Sequence, residues 1–164
     1  FGSAGSFALT SLVLGAVEGS TSSDLTLKGA GATVQVTNFA ARRIQTLTID
    51  VANLQLVGPA ELSQVPEVVL TSQSSFTVMP NSRMAILTES TISGPPDSLF
   101  GNRGTVTTTA KKVTLVVPFL NEGTMNARTS ELALMDPSSN AGIIDLDSQS
   151  VLSTSDMLTV TKSG

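Results

Sequence analysis

Phe100-Gly-Asn-Arg-Gly-Thr-Val106, Phe119-Leu-Asn-Glu-Gly-Thr-Met125 and Ser138-Ser-Asn-Ala-Gly-Ile-Ile144 align without a gap, each 19 residues after the last. The alignment puts Asn102, Asn121 and Asn140 in one column and Gly104, Gly123 and Gly142 in a second. Val106, Met125 and Ile144 form a third, and Val113, Leu132 and Val151 a fourth. Three units in register at a fixed period are the mark of a repeat architecture, in which each unit buries its apolar side against its neighbours.

Charge supports the same period. In this region the charged residues 19 apart are Arg103 with Glu122, Lys112 with Glu131, and Arg128 with Asp147, and all three pairs are opposite in sign. If each unit is one coil of a solenoid stacked about 4.8 Å above the last, these residues are spatial neighbours. Exposed pairs of this kind contribute only about 0 to 1 kcal/mol, so they specify register more than they stabilise.

Outside the repeat, short bursts of period-2 alternation recur, such as Leu25-Thr-Leu27, Val34-Gln-Val36, Leu47-Thr-Ile49, Leu54-Gln-Leu56 and Phe76-Thr-Val78. Clusters such as Lys28-Gly-Ala-Gly31, Gly58-Pro59, Pro80-Asn-Ser82 and Gly94-Pro-Pro96 separate them, and no 3.6-residue stripe persists. These features predict an all-β chain with short strands. Paired strands near 25/34, 47/54, 68/76, 86/92, 106/113, 125/132 and 144/151 predict a single-domain parallel β-helix of about seven coils, with periods of 18 to 22 residues. The expected organisation is an apolar cap or joining segment over residues 1–23 and a β-helix domain over 24–164. Two segments suit the ends of the solenoid: Phe7 to Val17 over the first coil, and Met157 to Thr161 as a last strand.

Composition narrows the chemistry. The 164 residues contain no His, Cys, Trp or Tyr. Zinc sites, thiol nucleophiles and Ser-His-Asp triads are therefore excluded, as are the Trp and Tyr platforms on which sugars and bases usually stack. Nine scattered cations against 13 acidic residues cannot form the basic stripe that nucleic acid requires. The longest apolar run, Phe7 to Val17, is 11 residues, well short of the roughly 20 of a membrane helix. Ser and Thr together make 43 of the 164 residues, and only 13% are charged. Such a surface points to an extracellular or cell-surface location. No Asn-x-Ser/Thr acceptor occurs, which leaves O-linked sugars as the expected glycans.

The F-x-N-x-G-T-apolar coils, with Val78-Met-Pro-Asn-Ser-Arg-Met-Ala-Ile86 and Thr91-Ile-Ser-Gly94 upstream, resemble the repeats of large secreted right-handed β-helix proteins, including adhesin-like and matrix-like surface proteins. The resemblance spans residues 24–155 and is strongest in the three 19-residue units. It implies a right-handed parallel β-helix on a cell surface or in an extracellular fibre.

Three candidate sites follow from the pattern. The Asn-x-Gly column suits a ligand or metal groove, but Asn and Gly are habitual turn formers: Asn tolerates the left-handed conformation and Gly permits positive φ. Asn102, Asn121, Asn140, Gly104, Gly123 and Gly142 are therefore expected to form an internal turn ladder. Asp145 and Asp147 share one side of a strand, one coil after Asn126 and Arg128. The four suit a calcium or acid/base site of a polysaccharide-cleaving β-helix, although an Arg128–Asp147 pair on a solvated face is the favoured reading. Thr105 to Thr109 holds four threonines, but Asn126 and Asp145 stack beneath Thr107, so no regular threonine ladder for ice or mineral forms. Leu9, Leu12, Val13 and Leu14 are the residues expected to cap the first coil or join a neighbour. The function expected is that of a structural or adhesive rod, not an enzyme, with no cofactor and no metal. Its partners are itself or like modules end to end, with surface glycans second; a carbohydrate-active β-helix is the alternative.

Overall fold

The computed structural model describes residues 5–16, 22–128 and 131–160. Val17 and Thr161, the far ends of the two expected terminal segments, lie outside them. The described chain is all-β, with eighteen strands numbered in chain order that pair in parallel from one coil to the next. It is a parallel β-solenoid.

Each turn of the solenoid has three faces. Face I stacks residues 6–9 of β1 (Ser6–Gly15), 33–36 of β2 (Ser22–Arg42), 53–56 of β3 (Ile44–Leu56), then β6 (Ser75–Val78), β9 (Leu99–Asn102), β12 (Phe119–Asn121), β15 (Ser138–Asn140) and β18 (Leu158–Val160). Face II stacks 12–15 of β1, 39–42 of β2, β4 (Pro59–Ser63), β7 (Arg83–Ile86), β10 (Thr105–Thr108), β13 (Thr124–Ala127) and β16 (Ile143–Leu146). Face III stacks 24–29 of β2, 44–51 of β3, β5 (Glu67–Leu70), β8 (Ser90–Ser93), β11 (Lys112–Val116), β14 (Glu131–Leu134) and β17 (Val151–Thr154). The sequence pattern anticipated two strands per coil; in the repeat the third is Leu99–Asn102, Phe119–Asn121 and Ser138–Asn140, whose Asn-x-Gly ends predict a turn rather than a strand.

One column of face I shows how coil length varies. Leu9, Val36, Leu56, Val78, Asn102, Asn121, Asn140 and Val160 stand one above the next, at spacings of 27, 20, 22, 24, 19, 19 and 20 residues. The spread is wider than the expected 18 to 22. Among the described residues the ladders keep their order while coil length varies, with one register shift between Gly29 and Thr33.

Inward positions are occupied by Val, Leu, Ile, Phe and Met because every second residue of a strand faces one side. Val106 and Met125 are fully buried and stack in register, and Ile144 continues their column half-buried at the last turn. Phe76, Phe100 and Phe119 stack along face I, with ring centroids 5.6 and 5.5 Å apart. The fourth expected column needs a correction: Leu132 stands under Leu152, not Val151. The turn from Asp147 to Ser150 adds one residue to that coil and rotates Val151 outward, where it is 57% exposed.

Candidate functional site

The Asn-x-Gly column lies at the corner between faces I and II, with the asparagines directed inward. Asn102 and Asn121 are completely buried and Asn140 nearly so. Asn102 Nδ2 donates to Asn121 Oδ1 at 2.7 Å, and Asn121 Nδ2 to Asn140 Oδ1 at 2.6 Å. The second hydrogen of each amide crosses to the next turn, from Asn102 to the Thr124 carbonyl (2.9 Å) and from Asn121 to the Ile143 carbonyl (3.0 Å). At the lower end Asn102 Oδ1 accepts from the Gly104 amide at 3.1 Å. At the upper end, where Val160 follows in the column, Asn140 Nδ2 turns to its own Gly142 carbonyl at 3.2 Å. Val78 and Val160 thus bound a three-rung ladder. Its amide groups are satisfied by one another and by backbone, as buried polar groups must be.

The glycines serve space rather than dihedral freedom. None of Gly104, Gly123 and Gly142 has positive φ, and neither do the ladder asparagines. Instead a Cβ on Gly123 would lie 2.2 Å from the Gly104 carbonyl oxygen, and one on Gly142 2.1 Å from that of Gly123. These corners are stacked backbone on backbone: Gly123 N donates to Asn102 O, and Gly142 N to Asn121 O, both at 3.0 Å. Gly58 holds the same corner in an earlier coil, where a Cβ would lie 2.1 Å from the Thr37 carbonyl oxygen, yet the inward residue there is Leu56. Glycine therefore belongs to the corner itself, while asparagine is one of two ways to fill the space inside it.

A second corner device escaped the sequence reading. Thr71–Ser74, Met79–Ser82, Pro95–Ser98 and Asp147–Ser150 are four-residue turns, each closed by a bond from the serine amide to the first carbonyl, at 3.1, 3.1, 2.9 and 3.2 Å. Gln73 and Asn81 take left-handed conformations in two of them. The Oγ of Ser74 meets Thr71 Oγ1, that of Ser98 donates to the Pro95 carbonyl, and that of Ser150 donates to the Ala127 carbonyl and Asp147 Oδ1. Ser82 Oγ is buried with no hydrogen-bond partner. The signal was in the chain as Gln, Asn or Asp followed by Ser immediately before each new strand.

On the outer surface, Arg103 pairs with Glu122 at 2.7 Å and Lys112 with Glu131 at 3.2 Å. The third pair is shifted: Arg128 reaches the Asp145 carboxylate, while Asp147 Oδ1 accepts from the Gln149 amide and Ser150 Oγ in the turn that lengthens this coil. Asn126 stacks beside Asp145, as the period requires. A further pair, Arg42 with Glu61, is bidentate at 2.8 and 3.1 Å; its hydrogen bonds and then its charge raise the Arg42 pKa. Among the described residues no group of three His, Cys, Asp or Glu is placed to hold a metal ion. No helix of the described chain is long and apolar enough to cross a membrane.

Among the described residues, the strands of the first and last turns have a ladder partner on one side only. In β1, Leu9, Leu12 and Leu14 are half-buried against the core, whereas Val13 points outward and is 70% exposed. At the other end Ile144, Leu152 and Leu158 are half-buried in the same way. The residues below them in each column, Met125, Leu132 and Ser138, are buried.

No family model, curated protein or solved structure matches the chain.

Proposed function

We propose that the protein is a structural or adhesive module of the extracellular surface, a rigid β-solenoid rod that joins neighbours of its own kind end to end. The observation that carries this reading is the contrast between sides and ends. Along the sides the strands are paired above and below, and polar residues such as Thr91, Thr114 and Ser153 point outward on face III. At the first and last described turns the strands have a ladder partner on one side only, and half-buried leucines line the opening. Unpaired strand edges and exposed apolar area are what association uses. The polar, hydroxyl-rich sides suit a secreted or surface environment, and the resemblance of the F-x-N-x-G-T coils to adhesin-like repeats supports the same setting, including a right-handed coil.

Asp145 and Asp147 favour this reading over the carbohydrate-active one, since one is held by Arg128 and the other by its own turn. Catalytic carboxylate pairs face a substrate space instead. A screen of acidic and neutral polysaccharides tests the choice. No depolymerisation is expected, and cleavage that disappears in the Asp145→Asn, Asp147→Asn double variant would install the enzyme reading in its place.

A further inference from the structure

On the flank of the rod, Gly101 sits in the middle of β9, facing outward on face I between the inward Phe100 and Asn102. In its column Thr77 lies one coil before it and Leu120 one coil after. Glycine weakens a strand, and it occurs inside one where φ is positive, where the strand bulges, or where another backbone or a ligand comes close. The φ of Gly101 is not positive, and the pairing of β9 with β6 and β12 runs through it without a register shift. Nor does backbone crowd it. An added Cβ would first meet the Thr77 side chain, at 3.1 Å, whereas the corner glycines Gly58, Gly104, Gly123 and Gly142 face a carbonyl oxygen at 2.1 to 2.5 Å. Of the reasons for a strand glycine, the approach of a ligand is the one left. A cleft of about 250 Å³ opens there, with Gly101 buried at its floor.

Two kinds of side chain meet in this cleft. Toward the earlier coils it is lined by the Thr77 hydroxyl and the Gln55 amide, with Asn53 and Ser75 beside them. Ser75 Oγ donates to Asn53 Oδ1 at 2.5 Å, and Gln55 Oε1 accepts from Gln35 at 2.9 Å, which leaves the Gln55 amide nitrogen to donate. Toward the later coils the half-buried Leu99 and Leu120 make an apolar wall. Thr77 and Leu120 stand two coils apart, about 10 Å, room for one six-membered ring between them. Arg103 is the one charged residue of the lining, and Glu122 holds it at 2.7 Å.

We propose that the cleft binds one neutral sugar residue of a glycan, its C–H face against Leu99 and Leu120 and its hydroxyls toward Thr77 Oγ1 and the Gln55 amide. An apolar wall with a few placed polar groups is the make-up of a small-molecule site. The two leucines supply the apolar contact that Trp or Tyr would give, in a chain that has neither. A peptide adding as a strand needs a free edge, and β9 is paired on both sides. An anion needs a cation that is not already paired. The cleft lies on the flank, so the inference is independent of end-to-end joining, and its failure would leave that reading in place.

The test is an array of neutral tetrasaccharides of glucose, galactose, mannose and N-acetylglucosamine with their sulfated and uronate counterparts, followed by calorimetric titration of those retained. At least one neutral tetrasaccharide is expected to bind, and its charged counterparts no more tightly. Gly101→Thr fills the cleft and needs only a small turn of the Thr77 side chain, so it should melt at or above the parent. It should bind roughly tenfold more weakly or worse, having lost the space for the ring. Thr77→Val keeps the shape, removes the hydroxyl and should bind several-fold more weakly. Thr114→Val, on face III, should bind as the parent does. If Gly101→Thr melts below the parent, Thr77→Val decides in its place. Binding of no neutral tetrasaccharide, binding confined to the charged ones, or affinity undiminished in the deciding variant would overturn the proposal.

Discussion

Residues 99–146 and residues 33–98 build the same three-faced coil, and they differ at its corners. In the later region the corner between faces I and II is Asn-x-Gly three times over, with Gly123 pressed against the backbone of Gly104 and Gly142 against that of Gly123. Contact that close leaves no room for an inserted residue, and the spacing from Asn102 to Asn121 to Asn140 stays at 19. In the earlier region Leu56 and Val78 fill the place of the asparagines, serine-closed turns make many of the corners, and spacing ranges from 20 to 24. The strict period thus coincides with glycine stacked on glycine, whereas Gly58 and Gly104, packed on the Thr37 carbonyl and on the Met79 and Ser82 carbonyls, close coils of other lengths.

If the interior is common to both regions, it should be equally intolerant in both. Met84 and Met125 share one column with Val106 and are 1% and 0% exposed. Met84→Asp and Met125→Asp should each destabilise by several kcal/mol, because each leaves an unpaired carboxylate among apolar neighbours. Thermal denaturation would show it, and an unchanged melting temperature at either site would put that coil in the wrong register.

The glycine corner is the next largest effect. Gly123→Ala and Gly58→Ala both place a methyl about where a carbonyl oxygen already lies, and a loss of roughly 1–3 kcal/mol or more is expected from each. A loss confined to Gly123 would mean that the corner of the earlier region does not stack backbone on backbone.

Asparagine, by contrast, should be replaceable as a set and not singly. Asn121→Leu removes a partner from Asn102 and from Asn140, at a cost of about 1–3 kcal/mol. Changing Asn102, Asn121 and Asn140 together to Leu reproduces the solution at Leu56 and should cost less than the single change. Denaturant unfolding of the two variants decides this, and a triple variant weaker than the single one would contradict the equivalence of the two fillings. The smallest contrast is between serines. Ser98→Ala should lose about 1 kcal/mol with its 2.6 Å bond to the Pro95 carbonyl, whereas Ser82→Ala removes a group with no partner and should be neutral or slightly stabilising.

The same contrast decides what was legible in the sequence. The gapless repeat identified the solenoid, its Asn and Gly columns and two of its ion pairs, because identical corners preserve register in the chain as well as in space. It could not show that glycine answers to a carbonyl 2.2 Å away rather than to a dihedral angle, since both demands select the same residue. Register was lost at Val151, where one residue in the Asp147–Ser150 turn shifts every later position by one, and the expected Arg128–Asp147 pair gave way to Arg128–Asp145 in the same coil. In residues 33–98 the strands were legible and the period was not, because corner length there differs from coil to coil. The Ser6–Gly15 strand was legible as apolar. Its alternation also placed Val13 on the opposite side from Leu12 and Leu14, a distinction that grouping the four residues together obscured.

Electron microscopy of the purified chain in negative stain, over a range of protein concentration, tests the account most directly. Joining through the open coil ends predicts unbranched threads of uniform width that lengthen as concentration rises. Separate short particles of one size at every concentration, or sheets built through the sides of the rod, would contradict it.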